Sequence, residues 1–453
     1  ITPLVREYGS IGASGDLARR KLYPALKNLF GKDNFPSKIT GISRKDWDNA
    51  AYRQLVETAC NGAEADFLEN FEFVSADFSV VESLAGLKQV CDAALAAGEK
   101  LIFYYAVEPN KFGTLTTSLA DAGILTHAKA ASNIQLVIEK PFGTDYASAE
   151  MLFSLLHSYL PTENIFLTDH VLNQEGLLDL IELKRYNPIL SSWLTNKFIT
   201  QIQITYSEKI GIEGRGSFYE GTGAIKDMFQ SHLCELVSLI LADSNDSGGK
   251  GRTAVLKSLT VEQAQIAQYR GYREEENVSP DSKVETYLAG QLLSDLPEWK
   301  GVPILLRVGK KLTEKFIDVH FIAGKNVLTI RLVPNSGINL RLWKGDGPDE
   351  DSSPDPVDLS YCYRPGQIPD PYTQVLSKAF AGEKELFVTM DEVLTSWKLS
   401  QSFSELARQN LQQAGGQLAI YEPGTVGPEA AAQIPQKYGT NWIEEDYFKF
   451  CRM

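Results

Sequence analysis

Four apolar runs that each break off into a polar turn constrain this chain most. They are Lys38-Ile39-Thr40-Gly41-Ile42 before Ser43-Arg44-Lys45, Leu101-Ile102-Phe103-Tyr104-Tyr105-Ala106 before Val107-Glu108-Pro109, Gln135-Leu136-Val137-Ile138 before Glu139-Lys140-Pro141, and Ile165-Phe166-Leu167 before Thr168-Asp169-His170. Short apolar runs bounded by turn signals read as buried strands. Alternating with helical stretches, they predict a doubly wound parallel sheet. Ligands meet such a sheet at the carboxyl ends of its strands, so the polar residues there are the candidates for a site.

Ahead of these runs stands Gly9-Ser10-Ile11-Gly12-Ala13-Ser14-Gly15-Asp16-Leu17, followed by Ala18-Arg19-Arg20-Lys21-Leu22. Glycines let a backbone approach a pyrophosphate closely, and the helix they open favours its negative charge. Gly12, Ala13, Ser14, Gly15, Asp16 and Leu17 are therefore candidate cofactor-binding residues. Their spacing departs from the common Gly-x-Gly-x-x-Gly, and a flexible amino-terminal turn is the alternative reading. The second strand of a dinucleotide fold ends near the adenosine ribose, where an acid selects NAD and a base accommodates the 2′-phosphate of NADP. Arg44 in that place points to NADP, with a solvated basic turn as the alternative. Lys140 can donate to a sugar hydroxyl and to the cofactor. Asp169 can hold an imidazole in one tautomer and stabilise its charged form, unless Asp169-His170 is only a strand cap with a surface histidine.

At 453 residues the chain exceeds one ordinary core, so two domains are expected. Its net charge of −14 argues against nucleic-acid binding as the main task but not against a local basic pocket for a phosphate. The five cysteines are scattered, odd in number and without metal-ligand spacing, which suits a reducing compartment, no disulfide framework and no metal site. No apolar run approaches the roughly 20 residues of a membrane span. The chain begins at Ile1 rather than Met, so a preceding targeting segment is expected to be missing. In the second half, Phe198, Thr200, Ile202, Ile204 and Tyr206 alternate with their neighbours at strand period, as do Ile317, Val319 and Phe321, and Leu328, Ile330 and Leu332.

Taken together, these stretches resemble the glucose-6-phosphate dehydrogenase family. The resemblance rests on Gly12–Ala18, Glu139-Lys140-Pro141-Phe142-Gly143, Thr168-Asp169-His170 and Lys226-Asp227-Met228-Phe229-Gln230-Ser231-His232, and continues through Gly301-Val302-Pro303, Arg307-Val308-Gly309-Lys310, Asp391-Glu392 and Tyr421–Pro428. It implies α/β plus α+β architecture: a Rossmann-like NADP-binding domain over residues 1–165, then a larger α+β domain with a mainly antiparallel sheet over 166–453 that binds substrate and oligomerises. It further implies NADP as cofactor, a sugar phosphate as substrate, a homodimer or homotetramer with membership of a larger assembly left open, and a cytoplasmic location with an organellar one left open. His232 takes the place of the family's general base and Asp169 that of its partner. Lys140, Glu208, Asp227 and Lys310 fall on positions that meet sugar hydroxyls or the reacting end. On an α-helix, five residues at about 100° each would set Asp227 and His232 roughly 140° apart, so one pocket could take both only by wrapping the helix.

The chain departs from the family where the substrate phosphate is gripped. The family reads Arg-Ile-Asp-His-Tyr-Leu-Gly-Lys, and this chain Leu167-Thr168-Asp169-His170-Val171-Leu172-Asn173-Gln174. His170 is kept, Gln174 replaces a lysine, and Lys315 stands where the family has arginine. Losing an ammonium and a hydroxyl removes two charge-assisted donors from a dianion site. The family's second, structural NADP site is poorly kept: Arg331 and Arg341 match or resemble it, whereas Phe316, His320 and Asn339 do not. Three readings stay open: an NADP-dependent glucose-6-phosphate dehydrogenase, a dehydrogenase of a different or unphosphorylated sugar, and a non-catalytic homologue kept as a structural or assembly subunit.

Overall fold

The computed structural model describes residues 5–126, 133–243, 248–344, 356–362 and 370–448. Contacts divide the chain into two units, Ile1–Asn173 with Pro369–Leu394, and Gln174–Ile368 with Thr395–Met453.

In the first unit the apolar runs become strands. β1 (Val5–Ile11), β2 (Lys38–Ser43), β3 (Phe71–Ser75), β4 (Lys100–Tyr105), β5 (Ile134–Glu139) and β6 (Ile165–Thr168) form one sheet in the order β3-β2-β1-β4-β5-β6. Every pairing is parallel. Because the winding reverses between β1 and β4, a crevice opens at the strands' carboxyl ends. Leu101–Tyr105 and Ile134–Ile138 are buried throughout, as strands covered on both faces must be.

Local chemistry starts the covering helices. Asp48 caps helix Asn49–Ala59 by accepting from the Ala51 amide at 2.8 Å, and Asp145 with Ser148 forms a capping box on Tyr146–Tyr159. A buried aromatic cluster fills the space beneath. The Tyr23 and Tyr52 rings meet edge to face at 6.0 Å, and the Tyr52 hydroxyl donates to that of Tyr23 at 3.2 Å. Gly41 on β2 makes room, since a Cβ there would lie 2.3 Å from Tyr52 Cζ. Helix Pro371–Ala381 returns to this core from late in the chain, placing the Phe380 ring 5.6 Å from that of Tyr8.

The second unit holds a sheet of β7 (Gln201–Ser207), β8 (Leu259–Tyr269), β9 (Tyr287–Ser294), β10 (Ile304–Gly309), β11 (Phe316–Ala323), β12 (Asn326–Val333), β13 (Gly337–Leu342), β14 (Val357–Cys362) and β15 (Ala419–Tyr421). Its order is β14-β13-β12-β11-β7-β10-β9-β8-β15. Pairing is antiparallel except between β7 and β10 and between β8 and β15. The expected fold class is therefore the observed one.

Cys60, Cys91 and Cys234 are buried, whereas Cys362 is disulfide-bonded. The expectation of no disulfide is corrected on that point: spacing along the chain does not reveal which thiols the fold brings together. No helix among the described residues is long and apolar enough to cross a membrane.

Candidate active site

The turn after β1 is built from the glycines. Gly12 sits at φ +90°, and a Cβ there would come within 2.3 Å of the Ala106 carbonyl oxygen. Only glycine meets both demands. The Gly12 and Ala13 amides donate to Ile42 O at 2.9 and 3.2 Å, the Gly15 amide to Gly12 O at 2.8 Å, and the Tyr23 hydroxyl to Ala13 O at 2.5 Å. The aromatic core thus holds the turn from below. A cleft of about 1090 Å³ runs along it, lined by Gly12, Ser14, Gly15, Asp16, Leu17 and Arg44 together with residues of the β3 and β4 ends. Ala13 is fully buried and does not line it. The bare Gly12 backbone and the size of the cleft fit a dinucleotide. Arg44 is exposed, and Asp77 lines the same cleft. The Ser79 amide and hydroxyl hold the Asp77 carboxyl below its usual range, and Arg44 adds to this. A phosphate at Arg44 would share the guanidinium with that carboxylate.

Lys140 follows β5, and its Nζ lies 4.0 Å from Asp169 Oδ2. Asp169 is 1% exposed, and its Oδ1 accepts from the Val171 amide at 2.9 Å. His170 begins a short 3₁₀ turn, His170–Asn173, and its side chain lies outside the described residues. Val171 is buried at 1%.

In the second unit, β7 and β10 run parallel with Ser207 opposite Gly309, so the next residues, Glu208 and Lys310, leave the sheet side by side. Lys310 Nζ reaches Glu208 Oε2 at 2.5 Å and Asp227 Oδ2 at 3.6 Å. It also lies 5.2 Å above the Tyr219 ring, while the Tyr421 hydroxyl donates to the Lys310 carbonyl at 2.6 Å. Tyr219 carried no signal in the sequence, whereas Tyr421 opens the Tyr421–Pro428 stretch of the resemblance. His232 is 4% exposed, and its ring stacks on Tyr206 of β7 at 5.9 Å and 16°.

The segment Ile225–Leu233 is π-helical, not α-helical. With bonds from i to i+5, five residues make little more than one turn. Asp227 and His232 therefore lie on one side, and the expected separation of roughly 140° is corrected. The segment starts on Glu285, whose Oε1 accepts from the Ile225 amide at 2.9 Å and whose carbonyl accepts from Ala224. Burial pushes the Glu285 carboxyl up to about 7. Gly223, at φ +60°, is required there, because a Cβ would lie 2.4 Å from Glu285 Oε1.

Gln174 heads helix Glu175–Tyr186 without a side-chain capping bond. Lys315 is exposed and precedes Phe316, which pairs with Ser207, the neighbour of Glu208. Arg331 and Arg341 are each held by the chain's own acids, Arg331 by Asp318 and Asp446 and Arg341 by Asp358 and Glu445.

A parallel sheet wound in this order with a glycine-floored cleft, in a chain that also buries a histidine beside a lysine–carboxylate cluster, defines a dinucleotide-dependent dehydrogenase. The family models for the glucose-6-phosphate dehydrogenase NAD binding domain and C-terminal domain match residues 10–178 and 181–443. The glucose-6-phosphate 1-dehydrogenase of Streptococcus pneumoniae is 31% identical over 95% of this chain and 95% of its own. A solved glucose-6-phosphate dehydrogenase in complex with its substrate glucose-6-phosphate superposes with a TM-score of 0.85 at 26% identity, covering 98% of this chain and 100% of that one. A second, from Mycobacterium avium, gives 0.83 at 26% identity over 98% and 99%. The chain belongs to the glucose-6-phosphate dehydrogenase family.

Proposed function

We propose that the protein oxidises glucose 6-phosphate at C1 to 6-phosphogluconolactone with NADP. The observation that carries this reading is the Glu208–Lys310–Asp227 cluster, set at the carboxyl ends of two parallel strands with Asp227 on the same side of its helix as His232. A lysine held between two carboxylates offers directed donors and acceptors to sugar hydroxyls. By the roles the family assigns, His232 takes the proton of the C1 hydroxyl and Asp169 serves as the carboxylate partner of that base. Lys140 donates to the sugar. Gly12 to Leu17 would hold the pyrophosphate and Arg44 the 2′-phosphate; when bound, the nicotinamide supplies the hydride acceptor.

The second reading, a dehydrogenase of an unphosphorylated sugar, draws on the neutral Gln174 and the buried Val171 in the phosphate-gripping stretch. Mixing the protein with NADP and either glucose 6-phosphate or glucose, and following the absorbance of reduced cofactor, separates the two. His232→Asn should then cut turnover by about 10²–10⁴-fold with substrate binding nearly intact. Near-normal turnover would move the base elsewhere, and a parent inactive on every sugar would favour a non-catalytic role. Assembly as a homodimer or homotetramer is part of the proposal. It is supported by the exposed Leu359 and Tyr361 on the edge strand β14, and sedimentation velocity tests it.

A further inference from the structure

Glu139 ends β5 immediately before Lys140, and two phenols close on it. The Tyr104 hydroxyl of β4 donates to Oε1, and the Tyr372 hydroxyl of helix Pro371–Ala381 donates to Oε2 at 3.3 Å. Both carboxylate oxygens are therefore used as acceptors, an arrangement suited to the ionised form. On the far side of Tyr372, Lys21 lies 5.7 Å over its ring and 3.5 Å from Asp370, and Asp370 caps the Tyr372 helix. A polar path thus runs from the helix behind the glycine turn, through Tyr372 and Glu139, to Lys140.

We infer that Glu139 is a positioning residue: its carboxylate, held by Tyr104 and Tyr372, keeps Lys140 from turning wholly onto Asp169 and ties helix Pro371–Ala381 to the strand end that carries Lys140. The inference rests on the function proposed above. Lys140 Nζ lies 4.0 Å from Asp169, and its charge also acts on the Glu139 carboxyl, so the two carboxylates compete for one ammonium. If Glu139 is neutral, Asp169 alone attracts Lys140, and the carboxylate partner of the base is diverted. At the same time the two phenols lose an ionised acceptor, and their bonds to a neutral carboxyl are weaker, which loosens the Tyr372 tether.

The groups that face Glu139 are Tyr8 from β1, Tyr104 from β4, Lys140 beside it, Asp169 after β6, and Tyr372. Burial is the largest influence and raises its carboxyl, to about 7; the two phenols and Lys140 pull it down, while Asp169 raises it. The carboxylate is therefore lost as pH falls through about 7. Burial raises the Tyr104 and Tyr372 hydroxyls, so both remain donors at that pH.

The test compares Glu139→Gln with Tyr372→Phe in the full chain, each checked for folding by thermal denaturation. Removing the Tyr372 hydroxyl takes a donor from the carboxylate, so the acid-side midpoint of kcat/KM against pH should move up by about 0.5–1 pH unit. Glu139→Gln removes that ionisation, and the midpoint should move down to that of the remaining base. Opposite movements support the inference; midpoints that move together, or not at all, overturn it. Infrared difference spectra across the same pH range should show a protonated-carboxyl band that is smaller in Glu139→Gln than in the parent, Glu285 supplying the remainder, and a band of unchanged amplitude in the variant would also overturn the inference. A parent inactive on glucose 6-phosphate would sink the functional reading alone, because the infrared titration needs no turnover and still decides whether Glu139 carries the proton.

Discussion

Arg331 of β12 donates from Nη1 to Asp446 at 2.6 Å while its Nε and Nη2 hold Asp318 of β11 at 2.8 and 2.6 Å. The pattern repeats along the late segment. Glu444 accepts from Arg307 at 2.7 Å and Glu445 from Arg341 at 2.6 Å. Aromatic rings of the same segment lie against these guanidiniums, Trp442 at 4.7 Å from Arg307, Tyr447 at 4.3 Å from Arg341 and Phe448 at 4.9 Å from Arg331. Three consecutive acids strap the segment across the sheet.

The acids should differ in weight according to their exposure. Asp446 is 18% exposed and faces a buried arginine, whereas Glu445 is 55% exposed. Asp446→Asn should lower stability by about 1–3 kcal/mol and Glu445→Gln by about 0–1 kcal/mol, measured by urea denaturation at low salt. Equal losses for the two would argue that exposure does not set the strength of the strap.

His320 of β11 sits close to the same arginines. Burial first, then the Arg307 and Arg331 charges, depress its imidazole to about 3. Its folded value is below the unfolded one of about 6.5, so its contribution is complete above pH 6.5 and lost as pH falls toward 3. Between pH 7 and 4 this single group should remove about 3 kcal/mol of stability. His320→Gln should flatten that slope in denaturation curves taken across the range, and an unchanged slope would assign the acid sensitivity to other groups.

Cofactor choice is tested at Arg44. Arg44→Ala should raise the KM for NADP by about 10-fold or more and leave that for NAD within about 2-fold, since only the 2′-phosphate loses a partner. Equal effects on both cofactors would remove Arg44 from the selecting role.

Gln174 tests where the substrate phosphate lies. Gln174→Lys should tighten glucose 6-phosphate by about 1.5–3 kcal/mol and hardly change glucose, because an amide donates but cannot neutralise charge. Titration calorimetry reads both affinities. A lysine variant with neither changed would put position 174 outside the pocket.

The sequence by itself determined four of the six strands of the parallel sheet, the glycine turn, the alternation of β7, β11 and β12 in the second sheet, and the candidate side chains of the site. Each rests on a local rule: an apolar run ends where a turn begins, Gly12 alone tolerates its backbone, and side chains alternate at strand period. The tertiary structure alone decided how those side chains meet. Glu208 and Lys310 pair because β7 and β10, far apart in the chain, run parallel. Asp227 and His232 share a side because their helix is wound as a π-helix, on a Glu285 start that no nearby residue announces. Glu139 sits between two phenols because helix Pro371–Ala381 returns to a sheet built from the first 168 residues. Periodicity records which face of an element is buried, not which distant element buries it, and these contacts depend on the latter.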